Sequence, residues 1–308
     1  MLGRRDFLSA LAVGAMMPRL AHASTGGATV PLWPDSPPGG GGPAGPTETN
    51  PPGTFFNVSV PTVDIFRPER PNGSAVLIAA GGGYKTISNG WEGKGAADWF
   101  NARGVTAFIL TYRLPGEGWK AGALAPLQDA QRAMRLIRSN AGRWNLDPQR
   151  IGSIGFSAGG HLIGMTATRS SFRAYAPIDT IDTISSRPDW AVLAYPVITM
   201  QLPYGKSMSR RILIGPEADA ALVKAWSVET YVGPDCPPLF LMDALDDPVI
   251  NPQNGVIMAE ACKKAGVKAE LMRLSAGGHG FGMGKRGSPT ADWPLKLESW
   301  LKLQGVVS

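Results

Sequence analysis

A single α/β domain, with a mostly parallel central sheet and helices on both faces, is what the sequence predicts. Three observations predict it. Short continuous apolar runs recur between residues 54 and 308, as in strands buried on both faces. Stretches of helical length separate them, so strands and helices alternate. The chain has 308 residues, 44% hydrophobic and 18% charged, which suits one large α/β domain or two small ones.

The elements follow in order. Residues 1–23 read as an export signal: Arg4 and Arg5 precede Phe7 and Leu8, an apolar stretch runs to Met17, and Ala21, His22 and Ala23 form a small-residue cleavage pattern. This is a twin-arginine type of signal, so a periplasmic or secreted protein is expected. Residues 7–17 are too few to span a bilayer, and no later run is long and apolar enough. No stable membrane insertion is therefore expected after signal removal. Residues 24–53 are rich in Gly and Pro, with "SPPGGGGPAGPTETNPPG" at their centre, and read as an extended arm that "PLWP" docks through Trp33.

Residues 54–308 form the expected catalytic domain. "FNVSVPTVDIFRP" alternates apolar and polar residues, as a half-buried outer strand does. "SAVLIAA", "VTAFILTYR" and "RIGSIGF" read as buried strands. "WEGKGAADWFNARG" reads as a helix ending at Gly104. "APLQDAQRAMRLIRSNAGRW" reads as an amphipathic helix with Leu127, Ala130, Met134 and Ile137 on one face. A helix follows Ser157. Then come a strand in "DWAVLAYPV", a variable stretch to about residue 216, a helix near 217–229, a strand in "PPLFLMDAL", a helix at 252–265, a strand in "KAELMRL" and a final helix near 290–303. The segments 170–188 and 199–216 are expected to cover the site.

Charge excludes some functions. The formal net charge is +6; without residues 1–23 it is +4, from 27 Lys and Arg against 23 Asp and Glu. These charges are scattered, with no basic stripe and no interleaved aromatics, so nucleic-acid binding is not expected. The two cysteines, Cys236 and Cys262, fit neither a CxxC motif nor a metal-ligand spacing. They are either a disulfide or two buried thiols.

In a parallel sheet, ligands bind beyond the carboxyl ends of the strands. The chemistry-bearing residues all fall there. Gly155-Phe156-Ser157-Ala158-Gly159 fits G-x-S-x-G between an apolar strand and a helix. A hydroxyl is a weak nucleophile at neutral pH. It has to project alone from a tight turn, within reach of a base and beside the positive end of a helix. Glycines flanking Ser157 let strand and helix approach without Cβ clashes.

The base follows by elimination. The chain has three histidines. His22 leaves with the signal, and His161 lies one helical turn beyond Ser157, packed against the sheet. His279, in "SAGGHGFGMG" directly after a strand, is left to take and return the serine proton. A carboxylate must orient it. "LMDALDDPVINPQN" offers Asp243, Asp246 and Asp247; Asp243 belongs to the strand, Asp247 is the preferred acid and Asp246 the alternative. The chain order Ser157, Asp247, His279 is that of α/β-hydrolases. Gly81, Gly82 and Gly83 end a buried strand in "LIAAGGGYKT". The amides of Gly82, Gly83 and Ala158 are the candidate oxyanion donors. Neither a phosphate loop nor a dinucleotide fingerprint fits these glycines. Tyr84 either lines an acyl pocket or packs.

Together "VPTVDIFRP", "AAGGGY", "WEGKGAADWF", "GFSAGGH", "RPDWAVLAYPV", "PPLFLMDALDDPVINPQN" and "GGHGFG" resemble the α/β-hydrolase esterases. The group in question contains bacterial acetyl esterases, acetylxylan esterase-like proteins and feruloyl-esterase-like domains. The resemblance covers residues 30 to 305. It implies an eight-stranded sheet, a Ser-His-Asp triad, no metal and no organic cofactor. It implies a short acyl ester substrate, small-molecule or oligosaccharide, with acetyl groups on a plant polysaccharide favoured. Feruloyl esters and a prolyl-oligopeptidase type of peptidase are the alternatives. A catalytically silent fold that binds a glycan or a protein is the non-enzyme rival. Ala80, Asp243 and Asn251 depart from the family pattern beside the chemistry.

Overall fold

The computed structural model describes residues 27–51 and 53–308. The export signal expected at residues 1–23 lies outside them. The strands are β1 (Thr29–Pro31), β2 (Glu48–Asn50), β3 (Thr54–Phe56), β4 (Thr62–Phe66), β5 (Ala75–Ala79), β6 (Thr106–Thr111), β7 (Ile151–Phe156), β8 (Ala191–Ala194), β9 (Leu239–Ala244) and β10 (Ala269–Leu274). The α-helices are α1 (Lys94–Asn101), α2 (Leu124–Ser139), α3 (Ala158–Thr168), α4 (Met208–Ile214), α5 (Ala220–Ala225), α6 (Gln253–Lys264) and α7 (Trp293–Leu303).

Eight strands form one sheet in the order β1-β4-β6-β5-β7-β8-β9-β10, and only the pairings of β1 with β4 and of β4 with β6 are antiparallel. Alternation of side chains along each strand fills two cores. Leu77 of β5 and Leu239 and Leu241 of β9 join Leu127, Leu162 and Met258 on the α2, α3 and α6 side. Val76 and Ile78 of β5 and Phe240 and Met242 of β9 join Phe100, Leu297 and Trp300 on the α1 and α7 side. That explains why β5, β7 and β9 read as continuous apolar runs: both faces are covered. No helix among the described residues is long and apolar enough to cross a membrane.

Several local expectations change. The predicted outer strand splits into β3 and β4 around Asn57, whose φ is +50°. Helix α4 falls inside the stretch read as variable. The predicted helix near 217–229 is α5 followed by one 3₁₀ turn at Val228–Tyr231. The Gly- and Pro-rich arm is built into the fold. Its β1 extends the sheet, Leu32 and Trp33 are buried, and the Trp33 indole N–H donates to Asp129 Oδ1 at 2.8 Å. Averaging composition over thirty residues hides the four-residue apolar segment that does this. Because the arm lies on α2, that helix is buried almost all round. Asp129 there pairs with Arg113 at 2.9 Å with both side chains inaccessible. Segment 170–188 bonds along α2, to Gln128, Gln131, Arg132, Arg135 and Arg138. None of its hydrogen bonds among the described residues reaches Ser157, Asp247 or His279, contrary to the cover expected of it. Cys236 and Cys262 are buried free thiols.

Candidate active site

The turn from β7 into α3 holds Ser157 at φ +52°, ψ −115°, a conformation L side chains rarely adopt. Close packing imposes it. A Cβ on Gly155 would lie 2.1 Å from the Gly159 carbonyl oxygen, and one on Gly159 would lie 2.1 Å from that of Ala79. Only glycine allows the strand, the helix and β5 to meet so closely. The Ser157 amide donates to Ala194 O at 3.0 Å, and its carbonyl accepts from His161 N at 3.1 Å. The backbone is thereby pinned to both β8 and α3, and the side chain stands at the carboxyl end of the sheet.

His279 arrives from the loop after β10. Its Nε2 lies 2.8 Å from Ser157 Oγ and its Nδ1 lies 2.7 Å from Asp247 Oδ2. A carboxylate only accepts, so Nδ1 carries the proton and Nε2 is left to accept from the serine hydroxyl. Asp247 is itself held. Its Oδ1 accepts from the amides of Val249 and Ile250 at 2.8 and 2.9 Å. Asp246 meets the backbone of the His279 loop: its Oδ1 accepts from the amides of Gly277 and Gly278, both at 2.8 Å. These bonds, that from Gly278 foremost, hold its carboxyl below the usual range. So Asp247 touches the imidazole, while Asp246 anchors the loop that carries it. Asp243 lies on β9 and pairs with Arg273, its register neighbour on β10, at 3.1 Å.

Gly81 packs against Ser157: a Cβ there would sit 2.9 Å from the serine Cβ. The following turn is folded back on itself by Lys85 N and Thr86 N donating to Gly82 O, and by Ser88 N donating to Gly81 O. A hairpin of β2 and β3 braces it, with Phe55 and Ile87 exchanging bonds of 2.8 and 2.9 Å. The amides of Gly82, Gly83 and Ala158 donate to no protein acceptor among the described residues. Ala158 stands at the start of α3, where the helix end favours negative charge.

Tyr84, φ +62°, is a packing residue through its ring and hydroxyl. It is 1% exposed, and its hydroxyl is 2.8 Å from His161 Nδ1. His161 Nε2 is 2.8 Å from the Trp226 carbonyl, which can only accept. His161 is therefore the neutral Nε2–H tautomer with Tyr84 as its donor, and burial drives its pKa down to about 4. Beside the glycine turn lies a cavity of about 410 Å³ lined by Tyr84, Leu114, Met208 and Ile212 with Lys85 and Arg211. Its size is that of a small-molecule site (about 300–1,000 Å³). Met208 of α4 separates it from the turn, since a Cβ on Gly83 would meet the Met208 sulfur at 3.0 Å.

Two further residues come close to the site, Glu92 in "WEGKGAADWF" and Tyr195 in "RPDWAVLAYPV", stretches that carry the family resemblance without assigning either residue a role. Glu92 is buried in a π-helical turn, Asn89–Gly93, just before α1. Tyr195, φ +37°, follows β8. Ser157, Tyr84 and Tyr195 are three of the five non-glycine residues with positive φ among those described. Such strain gathers at functional sites. A tyrosine at the carboxyl end of a parallel strand is a signal sequence reading could have used for Tyr195. For Glu92 the one signal is its place in "WEGKGAADWF", which gives it no role by spacing or periodicity.

Comparison with known proteins is consistent in kind. A family profile described as BD-FAE matches residues 63–262. An acetylxylan esterase of Xylanibacter ruminicola is 33% identical over 243 residues, which are 77% of this chain and 47% of that protein. The chain thus spans about half the length of this curated relative. The crystal structure of an acetyl ester-xyloside bifunctional hydrolase from Caldicellulosiruptor lactoaceticus aligns with a TM-score of 0.76 at 32% identity, covering 92% of this chain and 98% of that one. A propionate-bound esterase, Est2, from Thermogutta terrifontis aligns with a TM-score of 0.68 at 25% identity, covering 82% of this chain and 92% of its own.

Proposed function

This chain belongs to the BD-FAE family and has the α/β-hydrolase fold, and from that membership we propose that it is a serine carboxylesterase acting on short acyl esters, acetyl groups on xylan or its oligosaccharides above all. The single observation that carries the reading is the relay Asp247–His279–Ser157 at 2.7 and 2.8 Å. The names of the relatives, one acting on acetylxylan and one on acetyl ester and xyloside, support the substrate class.

In the proposed reaction, Ser157 Oγ attacks the ester carbonyl carbon while its proton passes to His279 Nε2. The imidazolium is stabilised by Asp247 across Nδ1. The carbonyl oxygen becomes an oxyanion and is met by the amide of Ala158 and one from the Gly82–Gly83 turn; each such donor contributes roughly 3–4 kcal/mol. Collapse breaks the bond to the alkoxy oxygen, which takes the proton from Nε2 and leaves as the alcohol. Water, deprotonated by His279, then attacks the acyl-enzyme. The acid departs and Ser157 regains its proton.

The test is hydrolysis of p-nitrophenyl acetate and of acetylated xylan, with Ser157→Ala as the control and circular dichroism confirming its fold. A loss of at least about a thousandfold in kcat is expected. Equal rates in variant and parent refute the mechanism. Acetate release from acetylated xylan well above ferulate release from feruloylated xylan is expected, and the reverse ranking moves the substrate to the aromatic acids.

A further inference from the structure

We infer that Glu92 is a positioning residue that ties the oxyanion turn to the histidine loop and sets a second negative charge near the His279 imidazolium. The inference rests on the esterase reading for its mechanistic meaning, though not for its test. Glu92 Oε2 accepts from the Gly81 amide at 2.6 Å, and Oε1 accepts from the Tyr195 hydroxyl at 2.8 Å. The Tyr195 oxygen in turn accepts from the Gly282 amide at 3.0 Å. One buried carboxylate and one phenol thus bridge Gly81, packed against Ser157, and Gly282, three residues beyond His279. The Tyr195 ring also lies edge to face with His279, centroids 4.9 Å apart. The preceding residue of the turn, Trp91, donates its indole N–H to Gly280 O at 3.0 Å, so the same π-helical turn grips the loop twice.

The Gly81 amide can only donate to Glu92, and the Tyr195 hydroxyl, whose oxygen already accepts from Gly282, is free to donate its proton to Glu92 as well, a pattern that favours the carboxylate. Burial pushes its pKa up; the bonds from Gly81 and Tyr195 and the charge of His279 act against that. The titratable groups facing Glu92 are Tyr195, Tyr112 and His279. Those facing His279 are Asp247, in direct contact, together with Tyr195 and Glu92. Tyr112 donates its own proton to Ala80 O at 2.8 Å and Tyr195 donates to Glu92, so both are neutral phenols. Glu92 is then the one charge besides Asp247 among these groups. When the imidazole becomes an imidazolium, a buried negative charge near it lowers its energy more than a solvated one could.

The test is Glu92→Gln, which keeps the shape and an acceptor for Gly81 while removing the charge. Removing a negative charge disfavours the imidazolium, so the His279 pKa, followed by NMR titration of the ring signals, is expected to fall by about half a unit or more. On p-nitrophenyl acetate, kcat is expected to fall about tenfold or more with KM little changed, and the acidic limb of kcat/KM to move to lower pH. Glu92→Asp, which restores charge, should return the limb toward the parent. Tyr195→Phe keeps the charge and cuts the tie to Gly282; kcat is expected to fall with the limb unmoved. An unmoved His279 titration in Glu92→Gln overturns the electrostatic part, whatever happens to kcat. Parental kcat in Tyr195→Phe overturns the tie, and reads it even if Glu92→Gln does not fold. The titration needs no turnover, so a parent without esterase activity would sink the esterase reading while leaving Glu92 open to measurement.

Discussion

The carboxylates of Asp246 and Asp247 are one position apart and meet different parts of one loop. The first closes on the amides of Gly277 and Gly278, the second on the His279 ring and the amides of Val249 and Ile250. Adjacency in sequence says nothing about which of them turns inward; the path of the β9–α6 loop decides. Asp247→Asn would present an amide to Nδ1 and favour the wrong tautomer. Its kcat on p-nitrophenyl acetate is expected to drop by roughly 10³–10⁴. Asp246→Asn keeps an acceptor for the two glycine amides, and a loss within about tenfold is expected, as suits an indirect contact through the loop. The reverse ranking would hand the role to Asp246. Ser157 and His279 were legible from the chain because the first sits in a spaced motif and the second is what remains of three histidines. Glu92 and Tyr195 were not. Their bonds link positions 11, 103 and 87 residues apart, and no local pattern marks a buried glutamate as distinct from an exposed one.

At the scale of elements, the approach of β5, β7 and α3 sets where Ser157 stands. Gly159 has the carbonyls of Ala79 and Ala80 where its Cβ would be, at 2.1 and 2.6 Å. Neither backbone oxygen can rotate aside as a flexible side chain would. Gly159→Ala must therefore push α3 away from β5, and a loss of about 3 kcal/mol in unfolding free energy is expected by urea denaturation. A loss below about 0.5 kcal/mol would show that the two elements have slack. Helix α4 is the element that sequence reading missed. Its Met208 abuts Gly83, so a segment read as variable supplies a wall beside the glycine turn. Seven residues, Met208–Ile214, are too few to show a helical period clearly, and the N-cap, Ser207, is recognisable only once the helix is known.

At the scale of the whole molecule, stability and the site share buried polar groups. His161, fully enclosed between Tyr84 and Trp226, holds the start of α3 to the glycine turn and to the segment before Val228–Tyr231. Its pKa of about 4 in the fold lies below the ordinary value near 6.5. Below pH 6.5 the unfolded chain takes up a proton that the fold refuses, so stability falls as pH drops from about 6.5 to about 4. The full effect is up to about 3 kcal/mol. His161→Gln can meet the same two partners without titrating. The difference in unfolding free energy between pH 7.5 and pH 4.5 is expected to be smaller in the variant; equal differences would remove His161 as the cause. The N-terminal segment adds to this integration, since β1 edges the sheet, Trp33 seals α2 and β3 braces the glycine turn. What the sequence by itself determined is the alternation of buried strands and helices, the elbow and the order of the chemistry-bearing loops, because each depends on periodicity or spacing within a few residues. What only the tertiary structure decided is which side chains meet. The order β7-β8-β9-β10 sets the loops after β7, β9 and β10 at one rim. There Asp247 rather than Asp246 reaches the imidazole, and Glu92 finds Tyr195, because contacts between distant segments are fixed by sheet order and packing, which local pattern does not encode.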